Sequence, residues 1–257
     1  MAERTIIVRV PTTSANLGPG FDSLGVALDW VAHFTFQFED HRAPDPVDPV
    51  ERMAAQAVAA LYDAAGETLG GVRVGCHGDM PVGRGLGMSA AARAAGLVAA
   101  NAMLGNRVSL DDLLPMAWRL EGHGDNIVPA LLGGLQIVAD DEGSPIHVPI
   151  AVPEDLRLAL LIPEFDMPTH ESRQRLPESI SRNQAVHNIG RAALIVGAIT
   201  QRRYDVLRVA TEDILHQPAR STLFPAMYPI FEAARAAGAH GVYLSGGGST
   251  IAAFVSG

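Results

Sequence analysis

The sequence predicts an α+β protein in two parts. Three observations carry that expectation. Short β-branched and aromatic runs read as strands, alanine-rich stretches with helical spacing lie between them, and no uniform βα repeat orders the two. The 257 residues, 48% hydrophobic and 18% charged, can bury a sizeable core and do not describe a disordered chain.

Strands are expected at about 5–10, 33–39, 72–77, 135–139, 157–162, 241–245 and 250–255. The closely spaced prolines of Arg42-Ala-Pro-Asp-Pro-Val-Asp-Pro deny the backbone its donors and mark a loop. Val50, Met53, Ala57, Val58 and Leu61 then share one helical face, and Gly66 is placed to end that helix. An alanine-rich helix runs on from Ala91 to about Leu104. Ser109-Leu-Asp-Asp112 is an N-terminal capping pattern for a helix towards Glu121. Further helices are expected at about 183–200, 205–216 and 225–237. A boundary at the loop Asp140–Pro145 would divide the chain into 1–145 and 146–257.

Composition narrows the function. A net charge of -9 and a pI near 5.4 argue against a nucleic-acid partner. The N-terminus lacks the apolar core of a signal peptide, and no apolar run reaches the ~18 residues of a membrane span. A single cysteine, Cys76, excludes an internal disulfide framework, so a cytoplasmic protein without a membrane partner is expected. All 19 basic residues are arginine. Without lysine there is no Walker A loop, no lysine of the protein-kinase type and no Schiff base. Any phosphate must be met by backbone N–H groups, arginine and metal.

Four segments concentrate polar groups or glycine. The first is Thr12-Thr-Ser-Ala-Asn-Leu-Gly-Pro-Gly-Phe-Asp22, where hydroxyls, an amide, glycines and a carboxylate crowd one loop after a strand. The second, Pro81-Val-Gly-Arg-Gly-Leu-Gly-Met-Ser-Ala-Ala91, has glycines at alternate positions and places Ser89 where a helix begins. The orphan N–H groups of that helix start favour an anion. The same segment can be a serine-capped turn, and Gly85-x-Gly87-x-x-Ala90 also fits a loose dinucleotide fingerprint, although no clear βαβ unit surrounds it. The third, Glu121-Gly-His-Gly-Asp-Asn126, sets two carboxylates, an imidazole and an amide beside apolar runs, where burial is costly unless they are paired or used. The fourth, Ser245-Gly-Gly-Gly-Ser-Thr250, is either a hairpin turn or a point of close approach to a phosphate or a neighbouring loop.

In this order the four segments resemble those of the GHMP family of small-molecule kinases, and within it the branch that acts on homoserine. Thr169-His-Glu-Ser-Arg173, Asn188-Ile-Gly-Arg191 and Gln217-Pro-Ala-Arg220 extend the likeness over nearly the whole chain. The resemblance implies an N-terminal domain with a left-handed βαβ unit, a ferredoxin-like C-terminal domain, and an active site between them. It implies transfer of phosphate from ATP to the side-chain hydroxyl of L-homoserine. ATP would lie on Pro81, Val82, Gly83, Arg84, Gly85, Leu86, Gly87, Met88, Ser89, Ala90 and Ala91, and Mg²⁺ on Ser89 and Glu121. The substrate would meet Asn16, Asp22, His123, Asn126, Arg173 and Arg220. Of these, Arg173 and Arg220 would take its carboxylate, and Asp22 with Asn16 its amino and hydroxyl end. Asn126 and Arg220 are the residues expected to matter most to turnover. An amide at 126 cannot abstract a proton, so the positioned hydroxyl attacks directly.

The sequence departs from the family pattern at four places. Met88 stands where a serine is usual, Gly247 and Ser249 replace a serine and a proline, and 48–52 lacks an asparagine often found near adenine. Relatives also continue beyond the position of Gly257. An end there would leave a sheet edge uncovered, for which a homodimer is the expected remedy.

Overall fold

The computed structural model describes residues 4–78 and 80–257. The first strands, β1 (Arg4–Ala15) and β2 (Leu24–Glu39), are followed by helix α1 (Pro49–Ala65), strand β3 (Gly71–His77) and the helices α2 (Met88–Met103), α3 (Leu110–Glu121) and α4 (Gly124–Leu132). The hairpin β4 (Leu135–Asp141) and β5 (Ser144–Ile150) completes this part. The remainder holds β6 (Leu156–Leu161), α5 (Thr169–Gln174), α6 (Arg182–Thr200), the short α7 (Leu207–Ala210) and α8 (Gln217–Arg220), α9 (Met227–Ala236), and β7 (Gly241–Leu244) with β8 (Ile251–Ser256).

Long strand β2 organises the first sheet. It pairs along one side with β1, and on the other side its start meets β4 while its end meets β3. Every described pairing is antiparallel, which removes the parallel-sheet dinucleotide reading. The second sheet has the order β6-β8-β7.

Several expected boundaries move. β1 runs through Pro11 by shifting register between Pro11 and Thr13, so the start of the first polar segment, 12–15, is strand rather than loop. The boundary at 145 falls within the β4–β5 hairpin, which turns at Glu142 and Gly143. Because β5 completes the first sheet, the chain leaves that sheet only after Ile150. The helix expected at 205–216 stops after Ala210. Thr211 returns its hydroxyl to Leu207 O at 2.9 Å, and Asp213 takes the next amides into a turn. The last strand, β8, lies in the middle of its sheet, so the sheet's edges are β6 and β7.

Gly66 closes α1 at φ 67° and Ser109 with Asp112 forms a reciprocal capping box, as their sequence positions indicate, and Asp48 caps the start of α1. The alanines of α2 serve close packing. A Cβ at Gly96 would lie 2.2 Å from Ala54 O, so α1 and α2 touch backbone to backbone. Phe34, Phe36 and Val10 of the first sheet complete this core. A second core joins Leu17, Leu24 and Leu135 from the first part to Ile195, Tyr243 and Phe254 from the second. A third packs α9 on β7 and β8 through Met227, Phe231 and Leu244. No helix among the described residues is long and apolar enough to cross a membrane.

Candidate active site

Where the two parts meet there is a cleft of ≈ 360 Å³, and all four polar segments reach it. Its floor is the glycine loop leading into α2. Gly83, Gly85 and Gly87 have φ of 74°, 75° and 67°, a region that side chains other than glycine strain to adopt. Space forbids a side chain as well. A Cβ at Gly85 would lie 2.1 Å from Ser245 O, and one at Gly87 1.9 Å from Thr13 Oγ1.

The loop's carbonyls are all tied to the scaffold. Gly83 O accepts from Met167 N, Arg84 O from Thr250 N, Gly85 O from Ser245 Oγ, Leu86 O from Thr13 N and Gly87 O from Ala91 N. This leaves the amide hydrogens, with the orphan donors at the start of α2, as the groups able to meet an anion. The segment from Ser245 to Thr250 both joins β7 to β8 and presses on the neighbouring glycine loop.

The helix begins at Met88, one residue earlier than Ser89 suggested. Met88 is buried in the first core and keeps its backbone amide at the helix head, which explains how a methionine is tolerated there. Ser89 Oγ donates to Glu121 Oε1 at 2.7 Å. The other carboxylate oxygen of Glu121 takes Arg93, which sits one turn along α2 from Ser89 and was not singled out from the sequence. A carboxylate and a hydroxyl, both hard oxygen donors beside a glycine loop with free amides, fit a magnesium ion that keeps water and phosphate oxygens as its other ligands.

The third segment turns at Gly122 and starts α4. His123 Nδ1 lies 2.6 Å from Asp125 Oδ1, and Asn126 Nδ2 donates to the same oxygen at 3.3 Å. Asn126 Oδ1 in turn accepts from Thr13 Oγ1 at 2.7 Å. Thr13 thus holds Asn126 in place, a role invisible in a run of small hydroxyl residues. Burial pushes the His123 pKa down, but the bonded Asp125 and nearby Glu121 outweigh it and leave it raised.

Asn16, Asp22, Arg173 and Arg220 also line the cleft. Asn16, buried at φ 70°, spends its amide on Gly246 O (3.0 Å) and on the Asp22 amide (3.1 Å). Asp22 and Arg173, assigned from the sequence to opposite ends of the substrate, bind each other through two hydrogen bonds of 2.5 and 3.0 Å. Arg220 is 1% exposed, donates to Gly246 O at 2.9 Å, and its Nε hydrogen meets no acceptor. Burial, then the charge of Arg173, lowers its pKa to about 10, so it stays cationic at neutral pH. Phe21 faces both cations, 5.2 Å from Arg173 and 5.4 Å from Arg220. Asp22, His123 and Asp125 also lie close enough to share a cation, within 4.8 Å of one another.

Residues 52–134 match the model of the GHMP kinases N terminal domain, and residues 195–257 that of the GHMP kinases C terminal domain. The chain belongs to the GHMP kinase family. Among its relatives, the homoserine kinase of Carboxydothermus hydrogenoformans is 40% identical, over 96% of this chain and 84% of that protein. The homoserine kinase of Clostridium beijerinckii is likewise 40% identical, over 97% and 86%. The crystal structure of homoserine kinase from Cytophaga hutchinsonii superposes with a TM-score of 0.88 at 30% identity, covering 98% of this chain and 85% of that one.

Proposed function

We propose that the chain transfers the γ-phosphoryl group of ATP to the side-chain hydroxyl of L-homoserine, giving O-phospho-L-homoserine and ADP. The observation that carries the reading is one cleft with two different ends. Backbone donors gather at the glycine loop, and a buried guanidinium, Arg220, lines the same cleft. The likeness to homoserine kinases over nearly the full chain supports the same substrate.

In this reading the amides of 83–90 hold the triphosphate, and Glu121 with Ser89 holds Mg²⁺, which neutralises phosphate charge when bound. Arg220 fixes the substrate carboxylate and thereby its distance from the phosphate loop. Thr13 and Asn126 set the hydroxyl in line. Its oxygen bonds to the γ-phosphorus while the bond to the β–γ bridging oxygen breaks, and its proton leaves to a phosphate oxygen or to water. Asp125 Oδ1 meets both His123 and Asn126 and so holds the two side chains in place. The single cysteine suits a cytoplasmic setting, where ATP is supplied.

The test is ADP release with Mg²⁺ and a panel of L-homoserine, L-serine, L-threonine and 3-aminopropan-1-ol. L-Homoserine is expected to be the preferred acceptor, and 3-aminopropan-1-ol, which lacks the carboxylate, to be inert. Preference for an acceptor without a carboxylate would defeat the reading.

A further inference from the structure

Arg220 carries its charge in an unusual way for a buried cation. Among the described residues no carboxylate lies within ion-pair distance of it. Asp22 is taken by Arg173. Asp213, the acid nearest along the chain, is saturated. Its Oδ1 accepts from Asn188 Nδ2 (2.6 Å) and Leu215 N (3.0 Å), and its Oδ2 from His216 N (2.9 Å) and Gln217 N (2.6 Å).

What meets Arg220 instead is an imidazole. Arg220 Nη1 lies 2.8 Å from His216 Nδ1, and the opposite ring nitrogen, Nε2, lies 2.6 Å from Gly18 O. A carbonyl only accepts, so the ring proton belongs on Nε2, and Nδ1 presents a lone pair to the guanidinium. A second ring proton would set N–H against N–H and place one cation on another. The ring is fully buried, and burial drives its pKa down to about 4, with Asp213 opposing and Arg220 reinforcing the fall. Phe21 packs 5.4 Å from the ring and closes it off from the cleft.

We propose that His216 is a positioning residue for Arg220: a neutral imidazole, protonated on Nε2, that orients the guanidinium from behind without cancelling its charge. A carboxylate there would hold Arg220 equally well and would spend the charge on the protein. A neutral acceptor leaves it for the carboxylate of the phosphoryl acceptor. The same ring ties Gly18, in the turn after β1, to α8 in the second part, so the guanidinium is set relative to both walls of the cleft. The proposal rests on the reading of Arg220 as the carboxylate site.

Asparagine and aspartate test it as an isosteric pair, because Oδ1 of either takes the place of Nδ1. His216→Asn keeps a neutral acceptor and is expected to raise KM for L-homoserine about fivefold, while His216→Asp raises it on the order of 100-fold. KM for ATP should stay within about twofold in both, since the phosphate loop is untouched. Equal KM for L-homoserine in the two variants would overturn the proposal. Should the aspartate variant not fold, ring-¹⁵N spectra of the wild type decide independently, with the His216 signal assigned by its loss in His216→Asn. A neutral ring protonated on Nε2 from about pH 6 to 8 is expected. A cation or an Nδ1–H ring would overturn it. A wild type that turns over no L-homoserine would instead defeat the functional reading, and the ring spectrum would still decide His216.

Discussion

The two ends of the cleft are built by different means. At the phosphate end, contiguous residues do nearly everything: Gly83, Gly85 and Gly87 bend the chain, the scaffold holds its carbonyls, and the amides remain. At the other end, side chains from the turn after β1, from α5 and from α8 converge with the backbone of the β7–β8 loop. The difference teaches how a lysine-free kinase can divide its electrostatics. A triphosphate, long and symmetric in charge, can be met by many weak dipoles. A single carboxylate needs one full charge at one place, and among the described residues Arg220 pairs with no carboxylate.

The sharpest break in this comparison is Arg220→Ala. Loss of a buried charged contact should cost about 4 kcal/mol, or roughly 1000-fold in kcat/KM for L-homoserine. ATP affinity by calorimetry should hardly change. A parallel loss of ATP binding would show that the two ends are one unit. The converse variant, Gly85→Ala, sets a methyl 2.1 Å from Ser245 O in a backbone region that alanine strains to adopt. It should weaken ATP binding on the order of 100-fold, about 2.7 kcal/mol. Unaltered ATP binding in that variant would remove the loop from the phosphate site.

His123 stands between the two ends, and its titration sharpens the contrast. Its pKa is raised in the folded protein, with Asp125 outweighing burial. Its contribution to stability is therefore whole below the ordinary histidine value of about 6.5 and is lost as pH rises through the raised native value. The Tm gap between wild type and His123→Gln should be widest near about pH 6 and narrow towards alkaline pH. A gap that widens with pH would reverse the assignment. The smallest effect is expected from Phe21→Leu, which removes a ring shared by two guanidinium groups. A loss of about 0.5–1 kcal/mol in L-homoserine affinity is the expected size.

The same division explains what the sequence could reveal. Gly66, Ser109 and the alternate glycines of 83–87 act through local backbone geometry, so their roles are legible in a line of residues. Ser89 and Glu121 were expected together only through the family resemblance, and the fold brings them to 2.7 Å. The pairing of Asp22 with Arg173 was not legible, because the two are separated by most of the chain and only the tertiary fold joins them. The hold of Thr13 on Asn126 was hidden for the same reason. Arg93 could have been noticed as a lone charge in an alanine run, four residues from Ser89 and so on the same helix face. The hairpin at 140–145 was hidden for another reason. An acidic, glycine-bearing stretch marks a turn, and nothing local distinguishes a hairpin from a linker.

A crystal structure with Mg²⁺, a non-hydrolysable ATP analogue and L-homoserine would locate both substrates at once. The triphosphate is expected against the amides of 83–90, with the amino-acid carboxylate on Arg220 and its hydroxyl facing the γ-phosphate beside Asn126. A triphosphate bound away from the head of α2, or a carboxylate bound away from Arg220, would contradict the account.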